Sequence, residues 1–455
     1  MVTSRTQPRP QWLAAAAAAL ALELGFAALA WLGNLDGHVI ETIAIGLAAG
    51  IVYLAALYFL EHSSDSRGAF WVILLAAVVF RLTLAPLKPT LSDDVYRYRF
   101  DGRAQLAGLN PYLVEPDDPR LASLGDPSIR AVPGYNIRSV YPPVSELVFA
   151  AAARWAPQPA AFKTPFLLAD LAVLAMLAWW TRRARARNFQ LAIYGWNPLV
   201  VVEFAASGHN DALALAAVVG ATLLIIGRRK AVSMCLLALG LLAKAFPAVL
   251  LPLWLVRLRW PRSGWGPVAA ACGVGLLCAW PYRSAIPVVL ATFHQYQTSF
   301  QNNNASAFAV LLRFTRSWKL ALGLGTGFVA GLSVWAAARR LQPERAALLL
   351  FGATLLVAPN GYPWYFTWVV PFLALAGTSR YLVPWLLLTI SQFLSYEVLL
   401  GYRATGAWRF EPLYLWLTYG PFYAWLLWNA LTAPIAAAPP QRHSGIGGAP
   451  LESGR

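Results

Sequence analysis

Apolar runs long enough to cross a bilayer recur along this chain, separated by short polar or basic stretches. A spanning helix needs about 20 such residues. The pattern predicts spans over 12–32, 39–60, 70–87, 162–181, 191–206, 211–226, 264–280, 320–338, 346–357, 364–375, 381–400 and 413–431. The stretch 231–256 is too long for one span and is broken by Lys244 and Pro247. It reads as two short helices or a re-entrant hairpin. The sum is an all-α polytopic integral membrane protein with about 12–14 transmembrane helices. The chain divides into N-terminal transmembrane helices (1–88), a large loop expected to carry amphipathic helices (89–160), a transmembrane core with further polar loops (161–437) and a tail (438–455). The tail is rich in Pro and Gly and is expected to be disordered.

Composition agrees. Hydrophobic residues make up 58% and charged residues only 12%, with a mean hydropathy of +0.53. So few charges could not coat a soluble protein of this length. The 20 Trp fit interfacial belts, where an amphipathic ring sits between lipid and water. Arg5 and Arg9 precede the apolar run from Trp12 in the manner of a signal peptide. That run reaches Leu32, too long for a cleaved signal, and is read as a retained first helix. Cys235, Cys272 and Cys278 lie in apolar stretches without partners at metal spacing. They are expected to be small core residues rather than a disulfide framework or zinc site.

The net charge of +16 does not point to nucleic acid, because the basic residues fall in short clusters between apolar segments. These are Arg182–Arg187, Arg228–Lys230, Arg257–Arg262 and Arg339–Arg345. Placed inside together with the N-terminus, they alternate consistently if 231–256 crosses twice or dips and returns. The tail is then cytoplasmic. The segments 89–160, 208–211, 282–319 and 359–365 all face outward, and they hold every unusual polar motif. The inner loops carry no Walker-type phosphate cradle, so outward chemistry must draw its energy from the substrate or a gradient.

The most telling motif is the polar run LSDDVYRYRFDGRAQ, residues 91–105. As a helix it puts Asp94, Tyr98, Asp101 and Gln105 on one face, with Arg97 one turn from both Asp93 and Asp101. Its plain alternative is a solvated helix resting on the membrane. Its chemical reading is a general base, a carboxylate that takes a proton from an acceptor hydroxyl while neighbouring Arg keeps it ionised. Further along come GLNPY (108–112), the acids Glu115, Asp117 and Asp118, and Tyr141-Pro142-Pro143, mostly turn scaffolding. Gly208-His209-Asn210-Asp211 joins two spans and suits either a helix cap or a substrate contact. Lys244, between apolar half-helices, is costly unless it snorkels or meets an anion, and a cation at a helix break suits an anionic head group. The segment 294–304, with His294 and Asn303, offers amides for sugar hydroxyls. Tyr362, Trp364 and Tyr365 in PNGYPWY are read first as an interfacial belt and also suit stacking on a sugar or isoprenoid.

Taken in order, SDDVYRYRFDG, GLNPY, YPP, GHNDA, Lys244 ahead of Pro247, and PWY resemble the GT-C glycosyltransferases. The resemblance is to glycosyltransferase family 87 and the actinobacterial polyprenyl-phosphate-mannose-dependent mannosyltransferases, over roughly residues 92–371. It implies a multi-pass enzyme of the bacterial cell membrane that takes a polyprenyl-phosphate sugar as donor. The implied partners are membrane lipid and a glycolipid or glycan acceptor, on the outer face. It also implies a catalytic acid in the first large outer loop, here Asp93 or Asp94, with His209 and Asp211 near the cleft and Lys244 near the donor phosphate. Asp94 is preferred for sharing a face with Tyr98 and Asp101. Mannose is the family's default sugar. One departure stands: the acidic loop follows the third span here, where such enzymes place it after the first.

A lipid monophosphate is a good leaving group, so no nucleotide is needed. One base and in-line attack invert the anomeric carbon. No cofactor is expected, although paired carboxylates would accept a divalent metal. The rival readings are a lipid-linked glycan flippase or transporter, and a noncatalytic assembly subunit. A transporter is expected to show internal repeats and a charge at mid-membrane; no repeat is evident, and the polar residues concentrate in loops.

Overall fold

The computed structural model describes residues 11–116, 118–124, 137–299, 306–379, 381–405 and 409–432. Asp117, Asn303 and the tail 438–455 lie outside the described residues. Among the described residues every regular element is helical. Seven helices are long and apolar enough to cross a membrane, and six shorter apolar helices accompany them.

The chain opens with α1 (Gln11–Leu32), α2 (Val39–His62) and α3 (Arg67–Leu84). Ser66 starts α3 by accepting from the Ala69 N–H at 3.1 Å, which satisfies one of the open donors of a first helical turn. Two helices of the large loop follow, α4 (Asp94–Leu106) and α5 (Pro143–Trp155). They pack closely at Gly102, where a Cβ would come within 2.2 Å of the Phe149 carbonyl oxygen; only glycine permits that approach. Then come α6 (Pro159–Phe162), α7 (Thr164–Arg183), α8 (Asn188–Gly195) and α9 (Pro198–Val201). The predicted span 191–206 is thus not one helix. Asn197 ends the first piece and caps the next, its side-chain oxygen accepting from the Leu199 and Val200 N–H groups, with Pro198 at the first helical position. The backbone then widens into a π-helical turn over Val202–Ser207.

The stretch 231–256 resolves as the sequence required. After α10 (Asp211–Ile226), α11 (Lys230–Ala243) runs back. The chain breaks at Lys244, extended at φ −155°, and returns as Phe246–Leu258. Ser233 donates to the Ala221 carbonyl (2.6 Å) and accepts from Trp254 Nε1 (2.9 Å), tying the three segments side by side.

The bundle therefore has two unlike ends. At one, Arg187 pairs with Asp65 at 2.9 Å, Arg257 donates to the Leu341 carbonyl and Thr378 donates to Glu61. From the other end α7, α10 and the segment after Lys244 run toward that basic end. The motifs at 91–105, 208–211, 244 and 359–365 gather at this second end. Cys272 corrects an expectation: it is exposed, and Cys235 and Cys278 are only partly buried. A membrane span has no need to hide a thiol, because lipid is as apolar as a core.

One buried ion pair holds the centre. Arg81 of α3 donates to Asp170 of α7 at 2.5 and 3.1 Å and to the Gly195 carbonyl at 2.8 Å. Tyr194 donates to the same carboxylate at 2.6 Å. Both charges are fully buried. Removing one partner of such a pair costs about 3–5 kcal/mol, so Arg81→Met is expected to lower the thermal unfolding midpoint in detergent sharply. Adding Asp170→Leu should recover part of the loss; an unchanged midpoint in Arg81→Met would show the pair to be dispensable.

Candidate active site

Three chain segments carry the charged groups of the site. The first is the start of α4. Asp94 is its opening residue, its backbone N–H held by Ser92 Oγ at 3.2 Å. One turn on, the Tyr98 hydroxyl donates to Asp94 Oδ2 at 3.2 Å and lies 3.1 Å from Asn210 Oδ1. The second is the Gly208–Asp211 junction. Gly208 is left-handed at φ +74°, and a Cβ there would strike the Lys163 side chain at 2.4 Å. Lys163 is itself buried, its ammonium donating to the Leu87, Ala205 and Ala206 carbonyls at 2.6–2.9 Å. A cation on the last carbonyls of the π-helical segment fixes where the junction begins.

The junction sets His209 between two carboxylates. Its Nδ1 lies 3.4 Å from Asp94 Oδ2 and its Nε2 3.3 Å from Glu203 Oε2. These are charge contacts rather than aligned hydrogen bonds. The third segment is the helix break. Lys244 Nζ donates to Asp211 Oδ2 at 2.7 Å and Asn210 Oδ1 at 3.2 Å, and lies 5.2 Å from the Tyr365 ring centroid.

Aromatic rings close the far side. Trp364 stacks on His209 at 3.9 Å and Tyr362 on Trp364 at 4.7 Å. Trp368 Nε1 donates to Asp211 Oδ1 at 2.7 Å. Tyr365 also lines an apolar groove of about 540 Å³, together with Tyr296, Val249, Leu322, Val329 and Val357.

The electrostatics separate the two adjacent acids. Burial pushes the Asp94 carboxyl up, but the close contact with His209 and its charge, the Lys244 charge and the Tyr98 hydrogen bond outweigh it, leaving the carboxyl below its ordinary value. Asp93 is pushed up to about 6, by burial first and then by the charges of Asp94 and Asp36. Burial depresses the His209 imidazole, yet Asp94 and Glu203 together raise it to about 9.

The structure thus gathers Asp94, Tyr98, His209, Asn210, Asp211, Lys244, Tyr362, Trp364 and Tyr365. Tyr141 is adjacent, its ring 5.0 Å from that of Tyr98. Arg97 and Asp101 sit one turn further along α4, in a network of their own. Arg97 Nε donates to Asp101 at 3.1 Å, while Gln105 and Ser139 donate to Glu146 of α5. His294 stands on the exposed side of Ile286–Ser299, two residues before Tyr296, which reaches the groove. Glu203, Lys163, Trp368 and Tyr296 were not singled out from sequence. Glu203 carried a signal, an acid inside an apolar span; the other three carried little. Among the described residues no group of three or more His, Cys, Asp or Glu is placed to hold a metal ion.

An all-helical membrane bundle that collects a carboxylate, two cations and stacked rings beside an apolar groove fits a membrane-embedded glycosyltransferase. The N-terminal domain described as alpha-(1->6)-mannopyranosyltransferase matches residues 11–259, more than half of the chain, and the chain belongs to that family. It is 25% identical over 399 residues to alpha-(1->6)-mannopyranosyltransferase A of Mycobacterium tuberculosis, covering 77% of this chain and 74% of the relative. No solved structure matches.

Proposed function

We propose that this protein transfers mannose from a polyprenyl-phosphate donor to a hydroxyl of a glycolipid or glycan acceptor, on the outer face of a bacterial cell membrane. One observation carries the reading. Lys244 lies beside Tyr365, and Tyr365 lines the apolar groove, so a cation stands where an apolar channel meets a polar cluster. A lipid phosphate has that same junction between tail and charge. The name of the mycobacterial relative supplies the sugar and an α-(1→6) bond. The basic clusters at the opposite end favour the outer face.

In the proposed step the acceptor hydroxyl attacks the anomeric carbon while Asp94 takes its proton. The new O–C bond forms as the C–O bond to phosphate breaks. The electron pair leaves on the polyprenyl monophosphate, and the Lys244 ammonium balances its growing charge. Of the three ammonium donors, two serve Asn210 and Asp211, and the third is assigned to the phosphate. In-line attack inverts the anomeric carbon.

Purified protein in lipid nanodiscs is expected to consume polyprenyl-phosphate mannose and form mannosylated acceptor one for one. Turnover of a nucleotide-sugar instead would overturn the donor assignment, and movement of the lipid without a bonded product would favour a flippase. The step is written without a metal, so a chelator of divalent cations is expected to leave the rate unchanged; loss of activity restored by one cation would refute that.

A further inference from the structure

We infer that Glu203 is a positioning residue for the transfer, holding His209 charged and in place against Asp94. The inference rests on Asp94 acting as base and adds a group that the proposed step does not use.

Glu203 is fully buried in an apolar segment, between Val202 and Phe204. An acid there is costly and marks a function unless it is paired. Its partners are polar and specific. One carboxylate oxygen accepts from the Tyr396 hydroxyl, and the other faces His209 Nε2 at 3.3 Å. The backbone serves the same contact. Glu203 lies in the π-helical turn Val202–Ser207, a rare geometry frequent at functional sites. Its carbonyl accepts the His209 N–H at 3.1 Å. Main chain and side chain of one residue therefore hold the histidine from both directions.

Two neighbours restrict the ring further. Trp364 stacks on its face, and Lys163 fills the space beside Gly208. A buried imidazole flanked by one carboxylate would tend to lose its proton. Between two it keeps both, one N–H toward Glu203 and one toward Asp94. The imidazolium then prevents Asp94 from drawing a proton out of the medium before the acceptor arrives. Burial opposes the charge, and Asp94 and Glu203 raise His209 to about 9.

The sign follows. Without the Glu203 charge, His209 falls from about 9 toward or below the ordinary 6.5, and Asp94 rises as its cation disappears. The charged and titratable groups facing this line are Asp93, Asp94 and Tyr98 at the start of α4, Tyr141 ahead of α5, Asp211 from α10, Lys244 from the helix break, Lys163 before α7, and Tyr296, Tyr365 and Tyr396. All remain in a Glu203 variant, and the one of them that shifts through His209, Asp94, moves the acid limb rather than the alkaline one.

The experiment is sugar transfer in nanodiscs by Glu203→Gln across roughly pH 5–10. The alkaline limb is expected to move down by at least about one unit, with wild-type position kept in Glu203→Asp. Tyr396→Phe disturbs the same turn without removing the charge and should leave the limb in place. An unmoved limb in Glu203→Gln, or an equal movement in Tyr396→Phe, overturns the inference. Should Glu203→Gln fail to fold, nitrogen NMR of histidine-labelled wild-type protein decides, using His209→Gln to assign the signal. A doubly protonated His209 at pH 8 is expected, and a neutral ring overturns the inference. Asp94→Asn separates the two levels: if it still transfers, the base assignment has failed; if it is inactive while Glu203→Gln keeps its limb, only the role of Glu203 has.

Discussion

Asp94→Asn is expected to lower the turnover of sugar transfer by about 10²–10⁴-fold, the range of a positioned general base, with little change in donor binding. The replacement is isosteric, so the Tyr98 hydroxyl keeps an oxygen to donate to. What disappears is the proton acceptor and the charge facing His209. Asp93→Asn should stay within about tenfold of wild type, because Asp93 meets the site only through its charge on Asp94. Acidity gives an independent check. The Asp94 carboxyl is held below its ordinary value, so it stays ionised as the medium is acidified and the rate should be flat from pH 7 to about 5. Asp93 is pushed up to about 6, so a rate that halves near there would name Asp93 instead. A low-affinity base suffices for this reaction. The acceptor hydroxyl becomes acidic only as its oxygen bonds to the anomeric carbon, so the proton moves late and downhill.

How much of this was legible depended on contrast. Asp94, His209, Asp211 and Lys244 stood out because each is polar against an apolar background, where burial is costly. The return of 231–256 was legible for the same reason: Lys244 and Pro247 interrupt an otherwise continuous run. Trp368 was invisible among so many tryptophans, since nothing in a sequence separates an indole N–H aimed at Asp211 from one in a lipid belt. Lys163 stands at the edge of a polar loop, where nothing local separates a buried lysine from a solvated one, yet it is buried on three carbonyls. The broken span at 191–206 escaped because hydrophobicity is blind to backbone hydrogen bonding. Only the Asn197-Pro198 pair hinted at the interruption, and nothing local marks a π-helical turn. Of the predicted site, Arg97 and Asp101 are where helical spacing put them, but facing α5 and Glu146 rather than His209.

Lys244→Met is expected to lower transfer by about 10²–10³-fold, the scale of removing one group aimed at developing charge. The loss should fall mainly on turnover, because a leaving phosphate gains charge only as its bond breaks. A competing explanation must be met. Lys244 also neutralises Asp211, which is fully buried, and a carboxylate left there unpaired would destabilise the junction. The double variant Lys244→Met/Asp211→Asn separates the two effects. It retains a hydrogen-bond acceptor for Trp368 Nε1 and buries no unmatched charge, so its unfolding midpoint should recover toward wild type. If Lys244 serves the phosphate, transfer stays low in the double variant although the fold is restored. If transfer returns with stability, Lys244 only balances Asp211, and the phosphate must find its cation elsewhere. Lys244→Arg refines the test. Guanidinium keeps the charge but spreads it over a planar fork, so it should retain stability while recovering only part of the rate. That result would show the ammonium acting as a placed point charge at the mouth of the groove rather than as a counter-ion of the fold.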